Sequence, residues 1–222
     1  MSERIVAVVP IRSLRNGKTR LAPVLGVDDR EALLQRVAAG VIDAAIHAGS
    51  IDTILVVSPD AETLAWAAAL GPPVVPLPQP ESLPGLNGAI DAGRTWALAA
   101  GAAAMLSLFA DLPLLAPENL RAFARRAEPV VLGADRREEG TNALLLRLGG
   151  AGPQFRFSFG EDSLAHHRAE ARRLSLDVAV HHAPGIGFDL DTPQDWHDYQ
   201  LLAAKPVAAR EVTPEMCGAG VA

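Results

Sequence analysis

Two acidic segments have the residue types and spacing of a divalent-metal site. Asp189 and Asp191 alternate with apolar residues in segment 185–193 (GIGFDLDTP), so an extended backbone points both carboxylates to one face. Asp111 follows the apolar run 105–109 and is predicted to lie just past a buried strand. Such oxygen ligands suit Mg²⁺ or Mn²⁺, and no cationic partner for the three acids is evident in the sequence. A turn residue or a helix cap is the alternative for each acid, although a cap at Asp191 explains only one of the pair.

A basic loop follows the first apolar run, Ile5 to Val9. Its cations are Arg12, Arg15, Lys18 and Arg20. Four cations at the end of a buried strand suit a polyphosphate ligand. Gly17-Lys18-Thr19 is not a P-loop, because that motif requires a glycine where Arg12 stands. A solvated basic loop remains the alternative.

A third segment has the features of an anion site. Gly160 and Ser163 lie where a loop enters a predicted helix, whose first backbone N–H groups are free to bind an anion. Ordinary helix capping is equally compatible with this pattern. Four histidines in two pairs, 166–167 and 181–182, have no cysteine or acid at metal-ligand spacing, so we expect them at the surface.

Short apolar runs alternate with helical patterns along most of the chain, which predicts an α/β fold with a mostly parallel sheet covered on both faces. In such sheets ligands bind outside the carboxyl ends of the strands. We therefore expect the chemistry just after Val9, Val57, Val75, Phe109 and Leu146. Segment 76–84, with four prolines, is predicted to be an irregular loop. Residues 1–204 are predicted to form one domain, and residues 205–222 a poorly ordered C-terminal tail.

Composition excludes several classes of protein. The 222 residues carry a net charge of −6, which disfavours nucleic acid as a partner, and 49% are hydrophobic, which is ample for a core. No signal-like N-terminus and no apolar run of membrane-spanning length is present, so no membrane association is expected. The single cysteine, Cys217, cannot form an internal disulfide. These features predict a cytoplasmic protein with small-molecule substrates.

Taken together, the motifs resemble the guanylyltransferases that make the phosphodiester precursor of the deazaflavin coenzyme F-420. The resemblance spans residues 5 to about 200 in family order. It is carried by segments 9–12 (VPIR), 18–21 (KTRL), 84–87 (PGLN), 111–115 (DLPLL), 140–142 (GTN), 159–163 (FGEDS) and 187–193 (GFDLDTP). It implies a single-domain, Rossmann-like fold of the nucleotide-diphosphosugar transferase type. It also implies a homodimer.

The resemblance further implies a role for each matching residue. The metal-binding aspartates are Asp111, Asp189 and Asp191, and the cations that stabilise the leaving pyrophosphate are Arg12, Lys18 and Arg20. The acceptor-binding residues are Thr141, Gly160 and Ser163, and the residues that bind the GTP nucleotide are Pro10, Leu86 and Asn87. Two acids inside the acceptor loop, Glu161 and Asp162, must point outward or help to bind metal. Arg12 departs from the family, in which lysine is frequent at this position.

The implied reaction moves GMP from GTP to a phosphorylated three-carbon acid and releases pyrophosphate. Leu86 and Ile90 lie four residues apart on a predicted helix, and we expect them to form an apolar wall at the acceptor. That wall favours phosphoenolpyruvate or 2-phospho-L-lactate over 3-phosphoglycerate, whose hydroxyl would be unpaired. Two alternatives stay open. One is the same fold acting on a molybdopterin or a sugar phosphate, and the other is a non-catalytic nucleotide-binding protein.

Overall fold

The computed structural model describes residues 3–15 and 17–203, and an α/β fold accounts for nearly all of them. The strands are β1 (Ile5–Pro10), β2 (Thr53–Ser58), β3 (Val74–Pro78), β4 (Ala104–Leu108), β5 (Val130–Ala134), β6 (Thr141–Arg147) and β7 (Val178–His181). The α-helices are α1 (Val27–His47), α2 (Ala61–Ala69), α3 (Gly85–Ala99), α4 (Pro117–Ala124), α5 (Ser163–Arg173), α6 (Pro184–Gly187) and α7 (Pro193–Ala203). Short 3₁₀ turns occur at Thr19–Leu21 and Gly152–Gln154.

The strands form one sheet in the order β3-β2-β1-β4-β6-β5-β7. Strand β6 runs antiparallel to both of its neighbours, whereas the other pairs are parallel. The predicted mixed, mostly parallel sheet is therefore confirmed. Its central strands are continuous apolar runs because helices cover both faces and leave neither face in water.

Each face of the sheet carries its own helices. Successive side chains of β1 point to opposite faces of the sheet. On one face Ile5, Ala7 and Val9 pack in the same apolar cluster as α1 and α4, and on the other face Val6 and Val8 pack in the same cluster as α3 and α5. Helix α3 approaches β1 so closely that a Cβ placed on Gly93 would lie 2.4 Å from Val8 Cγ1. This glycine sets the distance between α3 and the sheet.

Two predictions about the elements need correction. Strand β3 extends into the predicted loop and includes Pro76 and Pro78, because β3 is an edge strand and an edge tolerates the missing N–H groups of proline. Because β6 is antiparallel, the residues after Leu146 lie at the edge opposite the carboxyl ends of the parallel strands. The start of β6, at Thr141, lies at the edge where ligands bind.

A third apolar cluster attaches the segment after α6 to the rest of the domain. Phe188 and Leu190 pack there with Leu21 and Leu33. Among residues 3–15 and 17–203, no helix is long and apolar enough to cross a bilayer. The predicted tail, residues 205–222, lies outside the described residues.

Candidate active site

A cavity of about 710 Å³ opens at the carboxyl edge of the sheet, beside the ends of β1 and β4. Its lining includes seven of the residues predicted from the sequence: Pro10, Arg12, Lys18, Arg20, Leu86, Asp111 and Asp191. They come from four segments, namely the β1 end and the loop after it, the start of α3, the turn after β4 and the segment after α6. The tertiary structure thus brings together most of the predicted nucleotide, cation and metal residues.

Lys18 lies between two of the predicted metal ligands. Its Nζ donates to Asp111 Oδ2 at 2.5 Å and also to Asp191 Oδ1. Burial acts to lower the pKa of Lys18, but the charges of Asp111 and then Asp191 outweigh it, so the pKa rises well above its ordinary value. The expectation that the carboxylates lack a cationic partner is therefore wrong. Lys18 holds two of them together and keeps its proton at all physiological pH values.

The left-handed backbone of Lys18 (φ 53°, ψ 41°) belongs to the same arrangement. This conformation is uncommon for residues with a long side chain. The side chain is only 12% exposed, because it reaches across the cavity to the two acids. The ion pair compensates for backbone strain that an ordinary surface lysine would not sustain.

Asp189 is the third predicted metal ligand and lies in an environment that disfavours its charge. Burial, then the charges of Asp111 and Asp191, raise the pKa of Asp189 above its ordinary value. Asn142 donates to Asp189 Oδ1 at 3.4 Å, and Leu190 N–H donates to the carbonyl of Asp111 at 3.0 Å. These bonds hold the segments that carry the acids against each other.

The predicted alternation in segment 188–191 is present in the fold. Phe188 and Leu190 are buried, whereas Asp189 and Asp191 are partly exposed, as an extended backbone requires. Gly185, just before this segment, permits a close approach, since a Cβ there would lie 2.2 Å from Asn119 Oδ1. The apolar residues anchor the segment and leave its acids facing the site.

The acids fit a divalent cation by their chemistry. Asp111 Oδ1 is buried and has no hydrogen-bond partner among the described residues, which is costly unless a cation or another donor binds there. Asp189 and Asp191 add two further hard oxygen donors nearby. In their present conformations, no three His, Cys, Asp or Glu side chains within residues 3–15 and 17–203 form a group ready to hold a metal. The metal role therefore stays a prediction, and it requires Lys18 to release its acids.

Arg12 and Arg20 are the cations available to a ligand. Both are exposed, both line the cavity, and neither side chain has an ion-pair or hydrogen-bond partner in the described part of the chain. Unpaired guanidinium groups on a cavity wall are suited to bind phosphate oxygens in pairs. This differs from Lys18, whose charge is already matched.

The predicted acceptor residues meet in a second layer, beside the cavity and not in its wall. Thr141 begins β6 and Ser163 begins α5, and both are 2% exposed. Leu164 N–H donates to the carbonyl of Glu139 at 3.0 Å, which joins the two segments. Gly160 is exposed and has a φ of +131°, a conformation that favours glycine. The two acids of this loop, Glu161 and Asp162, are also exposed and point outward.

His167 was not predicted as a functional residue. It is fully buried, so the expectation that all four histidines lie at the surface is wrong. Its Nδ1 lies 3.1 Å from Thr141 Oγ1, and the N–H of Ser158 donates to its Nε2 at 3.1 Å. Helical spacing is the signal that would have found it, since Leu164, His167 and Ala171 share the buried face of α5.

The start of α3 differs from its predicted role in two ways. Asn87 uses both ends of its amide on Phe159: its Nδ2 donates to the carbonyl at 3.2 Å, and its Oδ1 accepts from the N–H at 2.8 Å. Asn87 therefore holds the aromatic loop, and it does not line the cavity. Ile90 is fully buried in the core, so the apolar wall of Leu86 and Ile90 does not exist. Leu86 alone faces the cavity.

Comparison with solved structures identifies the fold. A structure from Desulfovibrio desulfuricans, described as a nucleotide-diphospho-sugar transferase, superposes with a TM-score of 0.76 at 17% identity, over 95% of this chain and 91% of that one. A protein from Mycobacterium tuberculosis, solved as a complex with manganese, superposes with a TM-score of 0.58 at 16% identity, over 91% of this chain and 100% of that one. The fold is that of the nucleotide-diphosphosugar transferases, as predicted.

Sequence comparison identifies the family of this chain. The family model described as guanylyl transferase CofC like matches residues 5–209. The phosphoenolpyruvate guanylyltransferase of Rubrobacter xylanophilus is 41% identical over 194 residues, which cover 86% of this chain and 91% of that protein. The 3-phospho-D-glycerate guanylyltransferase of Phenylobacterium zucineum is 34% identical over 198 residues, covering 85% and 86%. The chain belongs to the CofC-like guanylyl transferases, which confirms the resemblance found in its motifs.

Proposed function

We propose that this chain transfers GMP from GTP to phosphoenolpyruvate and releases pyrophosphate, as a step in coenzyme F-420 synthesis. The observation that carries the proposal is the cavity at the carboxyl edge, whose lining combines two unpaired arginines with two acids that are bridged by a lysine. The names of the relatives supply the nucleotide and the class of acceptor. A cytoplasmic location and a homodimer stay predictions.

In the proposed reaction a phosphate oxygen of phosphoenolpyruvate attacks the α-phosphorus of GTP. One P–O bond forms at that phosphorus, the bond to the β-phosphate bridging oxygen breaks, and pyrophosphate leaves with the electron pair. The attacking phosphate is already deprotonated at neutral pH, so no general base is needed. The protein must align two polyanions and offset their repulsion.

The side chains around the cavity divide this task. Arg12 and Arg20 present free guanidinium groups to the departing phosphates. Asp111, Asp189 and Asp191 are the residues that would hold Mg²⁺ or Mn²⁺, which when bound supplies charge screening between the reacting phosphates. If a metal ion took over these acids, Lys18 would be released from them and would add a third positive charge to the cavity wall. The manganese complex of the structural neighbour is consistent with a divalent ion in this fold.

Incubation of the protein with GTP, Mg²⁺ and one acceptor at a time tests the proposal. We expect pyrophosphate release and a product with the mass of GMP joined to phosphoenolpyruvate, and none with ATP in place of GTP. A competition between phosphoenolpyruvate, 2-phospho-L-lactate and 3-phosphoglycerate then ranks the acceptors. Absence of pyrophosphate with all three would refute the proposal, and a dominant 3-phosphoglycerate product would replace the acceptor and keep the reaction class.

Substituting one arginine inside the cavity and one outside it tests whether the cavity charge acts on the substrate. Arg12→Gln removes an unpaired cavity cation and is expected to lower the rate strongly. Arg36→Gln removes an exposed arginine from the solvent side of α1 and is expected to change nothing. Equal rates for the two variants would show that the free charge of Arg12 does not act on the substrate.

A further inference from the structure

A buried histidine joins the two segments that are predicted to bind the acceptor. His167 lies on the inner face of α5 and is enclosed by aromatic rings, with Phe159 edge-on at 4.5 Å and Phe155 at 6.0 Å. It contacts Thr141 on one side and the backbone of Ser158 on the other. No step of the proposed reaction described above uses this residue.

The hydrogen bonds of His167 determine which of its nitrogens carries the proton. The N–H of Ser158 can only donate, so Nε2 must accept and is unprotonated. Burial and then the neighbouring His166 lower the pKa of His167 to about 4, so the ring is neutral near pH 7. A neutral ring without a proton on Nε2 carries it on Nδ1. The Nδ1–H therefore donates to Thr141 Oγ1.

This tautomer fixes the role of the Thr141 hydroxyl. Its oxygen accepts from His167, so its own proton must be donated in another direction. Among the described residues, the hydroxyl of Thr141 has no hydrogen-bond partner other than His167, and the residue is only 2% exposed. A buried donor without an acceptor is costly, and it indicates that the acceptor comes from a ligand.

Thr141 lies in the layer directly beside the cavity, at the edge of the sheet where ligands bind. It begins β6 at the carboxyl edge of β4, and the adjacent Asn142 accepts from Phe109 N–H and donates to Asp189. We propose that His167 is a positioning residue that holds the Thr141 hydroxyl as a hydrogen-bond donor toward the anionic acceptor substrate. This inference rests on the proposed function only for the identity of that anion.

Two substitutions separate this role from simple support of the loop. His167→Asn places an amide N–H near the position of Nδ1, so this variant can still donate to Thr141 but cannot reach Ser158. His167→Gln places its amide near the position of Nε2, so this variant can still accept from Ser158 but loses the bond to Thr141. If His167 acts through Thr141, His167→Gln raises the KM for phosphoenolpyruvate about 10- to 100-fold, as expected for a hydrogen bond to a charged group, and His167→Asn raises it less.

The threonine itself provides the matching variants. Thr141→Val is expected to raise the KM for phosphoenolpyruvate as much as His167→Gln does, and Thr141→Ser is expected to restore it. Combining Thr141→Val with His167→Gln should add no further increase, because both remove the same interaction. The KM for GTP should stay within about twofold in all of them, and His166→Asn, at the exposed neighbouring position, serves as the control.

Nuclear magnetic resonance of the ¹⁵N-histidine-labelled protein tests the inference without any substrate. The Nδ1 of His167, assigned by comparison with His167→Gln, is expected to be protonated and Nε2 unprotonated from about pH 5.5 to 8. A proton on Nε2, or a charged ring near pH 7, would overturn the inference. A smaller KM effect in His167→Gln than in His167→Asn would also overturn it, because loop support would then explain the data. An inactive wild-type protein with the expected tautomer would refute the proposed function and not this role.

Discussion

His167 makes the stability of this protein depend on pH in a defined direction. The unfolded chain carries this histidine with the ordinary pKa of 6.5, whereas the folded protein lowers it to about 4, chiefly by burial and then by the charge of His166, with Glu170 opposing. Between these values the unfolded state binds a proton that the folded state does not. The free energy of unfolding is therefore complete above about pH 6.5 and decreases as the pH is lowered toward 4.

The size of the effect follows from the two pKa values. At 1.36 kcal/mol per pKa unit, the loss is about 1.4 kcal/mol at pH 5.5 and about 3 kcal/mol at pH 4. Urea unfolding of the wild type and of His167→Gln across this range measures it as the difference between the two profiles, in which the titration of other groups such as Asp189 cancels. His197→Gln, which removes an exposed histidine, should keep the wild-type slope. Parallel profiles for the wild type and His167→Gln would refute the assignment of a buried, neutral ring.

Three further substitutions test the site and the loop beside it. Asp189→Asn is expected to abolish GMP transfer without lowering the melting temperature, because burial and neighbouring acids already disfavour its charge; normal turnover would exclude it as a metal ligand. Lys18→Met is expected to tighten Mn²⁺ binding, measured by calorimetry without nucleotide, because the ammonium group no longer competes with the metal for the acids. The same substitution is expected to lower turnover by about 10²–10³-fold. Weaker Mn²⁺ binding would refute the idea that Lys18 and the metal compete for these acids. Asn87→Ala removes two hydrogen bonds to the backbone of Phe159 and is expected to lower the free energy of unfolding, measured in urea, by about 1–3 kcal/mol. No change would show that the loop around Phe159 does not depend on Asn87.

The sequence patterns predicted the sheet and most of its elements because both depend on local chemistry. A β-branched run such as Ile5 to Val9 has the same preference for a buried strand wherever it occurs, and helix limits follow caps and glycines. The direction of β6 could not be predicted, since the apolar pattern of residues 141–147 reads the same for a parallel and an antiparallel strand. A parallel β6 would put the end of the strand, after Leu146, at the edge where ligands bind, whereas the antiparallel strand puts its start, Thr141, at that edge.

The candidate site shows a similar division. The alternation of Phe188 and Leu190 with Asp189 and Asp191 was sufficient to predict two acids on one face, because the period of an extended chain is local. The motifs also identified the family, which matches nearly the whole chain. The sequence by itself therefore determined the fold class, the family and the set of charged residues that line the cavity.

Only the tertiary structure decided which of those residues are paired. Lys18 reaches Asp111 and Asp191 across 93 and 173 positions of sequence, and no spacing rule relates residues so far apart. Burial is also a property of the packed chain: it lowers the pKa of His167, raises that of Asp189, and places Ile90 in the core instead of the cavity. The sequence gives the charge and hydrophobicity of each side chain. Its hydrogen-bond and ion-pair partners and its solvent exposure depend on how the chain packs, and they decide what the side chain can do chemically.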